Sequence, residues 1–260
     1  MTAIDPNIRS EIDRKLDEVT ETEKVRILMA IESGSRAWGF PSPDSDYDVR
    51  FIYTRNADDY LSLHPVRDVI ELPIEGDLDI SGWDIRKALN LLLKNNAVVA
   101  EWLDSAIRYV PTDPAMAEMA ELADRHFNPK GYARHYSSLG RNNLERWNLS
   151  ADGIPVKRYF YSLRPALSIR ALRLNPGARP PMRLQDLVQV SDLSTDLVFE
   201  IERLVELKSR TREAGMTTRS SAIEHLIVDE LDRADEIEER VTDRGFVDEA
   251  NALFRSIVFG

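Results

Sequence analysis

Cysteine is absent from this chain of 260 residues, which excludes disulfides, thiol chemistry and cysteine-ligated metals. No apolar run approaches the ~18–20 residues that a membrane span needs. The start of the chain, Met1-Thr2-Ala3-Ile4-Asp5-Pro6, lacks the basic opening and apolar stretch of a secretory signal. A cytoplasmic protein without membrane association is therefore expected. Fixed-period repeats and low-complexity tracts are missing too, and His64, His126, His135 and His225 show no metal-ligand spacing. Positive charge is scarce: 34 Lys and Arg stand against 45 Asp and Glu, a net charge of −11. That balance argues against general polyanion binding. The deficit is uneven, with a net charge of −10 over residues 1–120, +7 over 121–190 and −8 over 191–260. The middle segment could face a triphosphate or an RNA backbone; alternatively, its arginines pair with acids from neighbouring helices.

Residues 33–50, Ser-Gly-Ser-Arg-Ala-Trp-Gly-Phe-Pro-Ser-Pro-Asp-Ser-Asp-Tyr-Asp-Val-Arg, carry the densest chemical signal. The Gly34-Ser35 turn follows the apolar run Val25 to Ile31, so a buried strand feeds a small-residue loop whose backbone N–H groups can approach a phosphate. Asp46 and Asp48 precede a β-rich stretch, Val49 to Tyr53. Carboxylates two apart on a strand share a face, and their mutual repulsion is relieved by a hard cation. Mg²⁺ or Mn²⁺, completed by water and substrate phosphates, suits such an open site. A two-metal transfer calls for a third carboxylate on a neighbouring strand. Asp79, between Leu78 and Ile80, projects away from those apolar side chains; Asp77 has the same parity, and Asp84 is better explained as the N-cap of a helix over 85–94. The expected catalytic and metal-binding residues are Asp46, Asp48 and Asp79. Arg36 is placed for a phosphate or a site carboxylate. Arg50 has the parity of Asp46 and Asp48 and could organise the acids, meet a phosphate or form a structural ion pair.

An amphipathic helix is expected over 8–22, and further strands over 66–72 and 77–81. After Val110-Pro111-Thr112-Asp113-Pro114 the β signals fade. Helical periodicity then covers roughly 115–125, 130–148, 156–173, 183–190, 194–210 and 221–241, with a capping box at Ser221–Glu224 and a kink or break at Pro165. The domains expected are 1–112, catalytic, and 113–260, helical and binding nucleotide and substrate. In the helical half, Lys157, Tyr161 and Arg164 recur at spacings of four and three, so they can share a face, offering cations to phosphates and a phenol to base or ribose.

Gly34-Ser35, ten intervening residues and Asp46-x-Asp48 resemble the DNA polymerase β-like nucleotidyltransferase superfamily. Within it, Gly-Ser-Arg-Ala-Trp-Gly-Phe and Ser-Asp-Tyr-Asp-Val-Arg-Phe-Ile-Tyr are similar to the bacterial and phage proteins called RNA-repair-pathway or RNA-ligase-associated polymerases. The resemblance extends to Asp79–Leu89 and Lys157–Pro165. It implies an α+β fold, in which an N-terminal polymerase β-like nucleotidyltransferase domain with a mixed sheet is followed by an all-α domain. It also implies Mg²⁺ at Asp46, Asp48 and Asp79, with a nucleoside triphosphate held by the Gly34-Ser35 loop.

The reaction expected is transfer of a nucleotidyl group to an acceptor hydroxyl, with RNA as the leading acceptor. The same motif spacing also resembles antitoxin adenylyltransferases, so a protein or a small molecule such as an aminoglycoside is the alternative. A nucleotide sensor with a decayed site is disfavoured by the intact acids.

Overall fold

The computed structural model describes residues 4–147, 153–212, 215–240 and 245–260. The first strand, β1 (Arg26–Glu32), follows helix α1 (Pro6–Glu23). Asp5 caps α1, its side chain accepting the Asn7 N–H at 2.8 Å, with Pro6 already set for the first helical turn. Next come α2 (Gly34–Trp38), β2 (Tyr47–Thr54), α3 (Ala57–Tyr60), β3 (Val69–Glu71), β4 (Leu78–Asp84), α4 (Ile85–Leu93), α5 (Ala97–Asp104) and α6 (Ala115–Arg125). After these lie α7 (Pro129–Leu144), β5 (Gly153–Pro155), α8 (Val156–Leu174), α9 (Leu184–Val190), α10 (Thr195–Arg210), β6 (Met216–Thr218), α11 (Ser221–Asp232) and α12 (Gly245–Phe259).

The chain forms two units. One comprises residues 1–37, 46–126 and 242–260; the other comprises 38–45 and 127–241. These are not the contiguous segments 1–112 and 113–260 expected from the sequence. Helix α12 returns to the first unit, where α6 also belongs, because their apolar faces pack beside α4 and α5 in one core. The eight residues 38–45 leave for the other unit. Such long-range packing is not encoded in local periodicity.

In the first unit the sheet order is β1-β2-β4-β3, with β1–β2 and β3–β4 antiparallel and β2–β4 parallel. The α+β fold with a mixed sheet is as expected. Alternation sends Val49, Phe51 and Tyr53 to the layer that holds Ile12, Leu16 and Val19 of α1. Ile52 faces the opposite layer with α4, α5, α6 and α12, where Trp83 packs against it. Burying each aliphatic side chain there contributes roughly 1.5–3 kcal/mol.

The second unit is helical, with the two-stranded β5–β6 ladder added. Tyr136 of α7, Tyr159, Phe160 and Leu167 of α8, and Ile227 of α11 are buried. Gly140 permits a close approach between α7 and α11, since a Cβ there would meet Leu231 Cδ2 at 2.5 Å. Local expectations differ from the structure at several points, and the helix expected over 221–241 ends at Asp232. Helix α8 runs through Pro165 without ending, held by burial of that stretch. Ser220 rather than Ser221 caps α11, accepting the Ile223 N–H at 3.3 Å. Part of the basic segment also turns inward, where Glu230, fully buried, takes Arg170 at 2.7 Å and Arg173 at 2.8 Å; at the surface, Asp232 takes Arg141 at 2.7 Å. Acids of the C-terminal segment thus neutralise several of the cations counted in the middle one.

Candidate active site

The parallel register of β2 and β4 pairs Asp48 with Asp79, Arg50 with Ser81 and Ile52 with Trp83. This face of the sheet therefore grades from acidic at the start of both strands to apolar at their ends. Arg50 lies beside both acids, its Nη2 3.2 Å from Asp48 Oδ1 and 2.7 Å from Asp79 Oδ2. Its Nη1 donates to the carbonyls of Asp79 at 2.8 Å and Val49 at 3.0 Å. Arg50 is therefore ion-paired to both acids at once. An arginine fork suits this task because it meets carboxylate and carbonyl oxygens at fixed angles.

Gly34 packs directly on Asp48. Its φ is +63°, and a Cβ at this position would stand 1.9 Å from Asp48 Oδ2. Glycine is required here twice, by the left-handed backbone and by the carboxylate against it. The segment that follows is a short helix rather than the open loop expected, with Ser35 buried at its second residue. Arg36 on α2 donates through Nε to the Asp46 carbonyl at 3.2 Å and lies 3.8 Å over the Tyr47 ring.

Asp46 is exposed and stands one residue ahead of β2, so it does not share a strand face with Asp48 as expected. The side-by-side pair of carboxylates is instead Asp48 with Asp79, across strands. Among the described residues, no three or more His, Cys, Asp or Glu side chains are gathered as a metal site. Asp77 precedes β4, its carbonyl accepting the Tyr47 N–H at 2.7 Å. Asp84 is the N-cap of α4, as expected, accepting the Arg86 N–H at 2.7 Å and the Tyr60 hydroxyl at 2.9 Å; burial holds its carboxyl above the usual range.

Glu32, the last residue of β1, was not singled out from the sequence. It is fully buried. Burial pushes its carboxyl up to about 7 against the hydrogen bonds from Tyr109 and the Asp48 backbone, with the Asp48 charge adding to the rise. Burial and the facing Glu32 charge likewise push the Tyr109 hydroxyl well above its ordinary value. The signal was present: strand parity puts Glu32 on the face of Ala30, so a carboxylate ending an apolar run points inward.

In the second unit, Lys157 lies 5.6 Å over the Tyr161 ring, and Tyr161 meets the edge of Trp38 at 5.5 Å. Arg164 is buried, its guanidinium 4.5 Å over the Trp38 ring and its Nε donating to the Met182 carbonyl at 3.1 Å. Of the three helical-half residues expected to bind nucleotide, Tyr161 and Arg164 thus meet Trp38, while Lys157 meets Tyr161. The Trp38–Ser45 segment is held by Phe160 stacked on Phe40 at 4.5 Å, by Gln185 donating to the Gly39 carbonyl at 2.6 Å, and by the buried Lys208 donating to Ser42 Oγ at 3.2 Å.

A mixed sheet with carboxylates beside Gly34-Ser35 is the arrangement that the resemblance to nucleotidyltransferases leads one to expect. The comparisons agree: the model of the RNA repair pathway DNA polymerase beta family matches residues 8–256. The chain belongs to that family. It is 38% identical over 226 residues to the uncharacterized protein YcgL of Bacillus subtilis (strain 168), covering 87% of this chain and 86% of the relative. Among solved structures, a nucleotidyltransferase-like protein from Exiguobacterium sibiricum 255-15 aligns over 96% of this chain and 79% of its own, at 12% identity and a TM-score of 0.32. No helix among the described residues is long and apolar enough to cross a membrane.

Proposed function

We propose that the protein transfers a nucleotidyl group from a nucleoside triphosphate to an acceptor hydroxyl on RNA, with Mg²⁺ or Mn²⁺, in the cytoplasm. The observation that carries the reaction is the register pair Asp48–Asp79 with Gly34 packed on Asp48. RNA as acceptor is supported by the family's description.

The donor set fits a hard divalent cation, because two carboxylates project side by side at the polar end of the sheet and Asp46 adds an exposed oxygen donor nearby in the chain. Asp46, Asp48 and Asp79 would hold one or two such ions. When bound, divalent cations neutralise charge on the transferring phosphoryl group and favour ionisation of the acceptor hydroxyl.

The chain's own residues supply the rest. Gly34 and Ser35, the first residues of α2, offer backbone N–H groups with only small side chains of their own, suited to the triphosphate. Arg36 and Arg50 provide fixed positive charge for phosphate oxygens or for the acids themselves. Lys157, Tyr161 and Arg164 offer two cations and a phenol for the nucleotide.

The test is incorporation of α-labelled nucleoside triphosphates into RNA, DNA, total protein and aminoglycosides, offered separately with and without Mg²⁺. RNA should be labelled in a Mg²⁺-dependent way. D48N and D79N should each abolish labelling while circular dichroism and melting show a folded chain. Undiminished labelling by both variants would refute the site, and label on protein alone would refute the RNA acceptor.

A further inference from the structure

Chain geometry creates a gap in the sheet beside Asp48. β1 pairs with β2 as far as Glu32 opposite Val49. The chain must then leave the ladder to form the turn at Gly34, whose left-handed φ of +63° directs it away. Continued pairing would give the Asp48 N–H a backbone carbonyl from β1. With β1 ended, none arrives. The Glu32 side chain fills that place: its Oε1 accepts the Asp48 N–H at 3.0 Å. On the other side of the same residue, the Asp48 carbonyl accepts the Ser33 N–H at 2.8 Å. Both backbone polar groups of Asp48 are therefore tied to consecutive residues of the departing chain.

Glu32 is itself held from several directions. Tyr109 donates its hydroxyl to Oε2, Ser105 Oγ donates to the Glu32 carbonyl at 2.7 Å, and the Glu32 N–H donates to the Ile107 carbonyl at 3.0 Å. Nothing about it resembles a surface carboxylate that happens to reach a nearby amide. Leaving a buried N–H unsatisfied costs about 1–3 kcal/mol. A side chain that prevents this at a residue bearing one of the proposed site carboxylates also fixes where that carboxylate stands.

We propose that Glu32 is a positioning residue for Asp48: its carboxyl replaces the missing strand carbonyl and, braced by Tyr109, sets the backbone from which Asp48 reaches the site. The proposal rests on the transfer reaction only for its functional consequence; its structural claim is read without catalysis.

Three variants test it: E32Q keeps an acceptor, E32M keeps the volume without one, and Y109F removes the brace. The first readout is hydrogen exchange at the Asp48 amide by NMR, with distant core amides as the control. E32M should accelerate exchange at Asp48 by ~10-fold or more, while control amides stay protected. The second readout is nucleotidyl transfer, where E32M should lower kcat by ~10–100-fold, the range for lost supporting hydrogen bonds, with KM little changed. E32Q should restore both readouts to near wild type, and Y109F should fall between.

Wild-type Asp48 exchange in E32M, or in Y109F where E32M fails to fold, would overturn the proposal. So would an E32Q variant as impaired as E32M, since that outcome makes charge the requirement. Should D48N retain transfer activity, the reaction assignment fails, yet the exchange arm still decides the role of Glu32.

Discussion

Asp48 and Asp79 stand opposite each other on parallel neighbouring strands and share one guanidinium, with Arg50 Nη2 3.2 Å from the first and 2.7 Å from the second. The arrangement makes Arg50 the counter-charge of an otherwise repulsive pair. Replacing it by Gln leaves two carboxylates side by side and releases the Asp79 and Val49 carbonyls from their donor. In a chelator at low ionic strength, R50Q should lose roughly 1–3 kcal/mol of stability in urea denaturation. Added salt should return part of that loss through screening. An unchanged denaturation midpoint would show that the shared guanidinium does not offset the repulsion.

At Gly34 two demands coincide. A G34A side chain must accept a left-handed backbone, about 1–2 kcal/mol for an L-residue, and must also displace the Asp48 carboxylate from a position 1.9 Å away. Melting should reveal a moderate loss of stability, and, on the proposed function, nucleotidyl transfer should fall ~100-fold because a proposed metal-binding carboxylate is misplaced by about an ångström. Full activity in G34A would mean that Asp48 does not need its present position.

Glu32 predicts how stability changes with pH in metal-free protein. Its carboxyl is raised from the ordinary 4.5 to about 7 by burial, so between these values the folded chain binds a proton that the unfolded chain has released. Stability then falls as pH rises through this window and levels off above it. The full span corresponds to about 3 kcal/mol. E32Q, which cannot ionise, should flatten the profile between pH 5 and 7 in chemical denaturation with chelator present. A variant profile as steep as that of wild type would assign the slope to another group.

Much of the first unit was legible because its signals are local. The apolar run before Gly34-Ser35, the β-rich stretch after Asp48 and the alternation around Asp79 each mark an element by short-range pattern. The partner of Asp48 was harder to read, since register between β2 and β4 is fixed by the whole sheet. Parity suggested Asp46, but the strand starts at Tyr47 and the cross-strand neighbour Asp79 takes that place. Glu32 was missed because a single acid ending an apolar strand looks like the strand's polar boundary. Lys157, Tyr161 and Arg164 lie at the helical spacings expected on α8, whereas Trp38, which Tyr161 and Arg164 meet, lies far away in sequence. Arg170 and Arg173 follow the alternative reading of the basic segment, since both pair with the buried Glu230 of α11.

Residues 38–45 are grouped with the helical unit, although they join Gly34-Ser35 to Asp46-x-Asp48. The protein therefore cannot be divided into two working pieces by a single cut. A fragment ending at residue 126 would carry Phe40, Ser42 and Ser45 without Phe160 and Lys208, the groups that bury and bind that segment. It would also lack α12 and its share of the first unit's core. Shortening or lengthening the spacer would likewise disturb both units at once, which makes its length a property of the whole chain rather than of one loop.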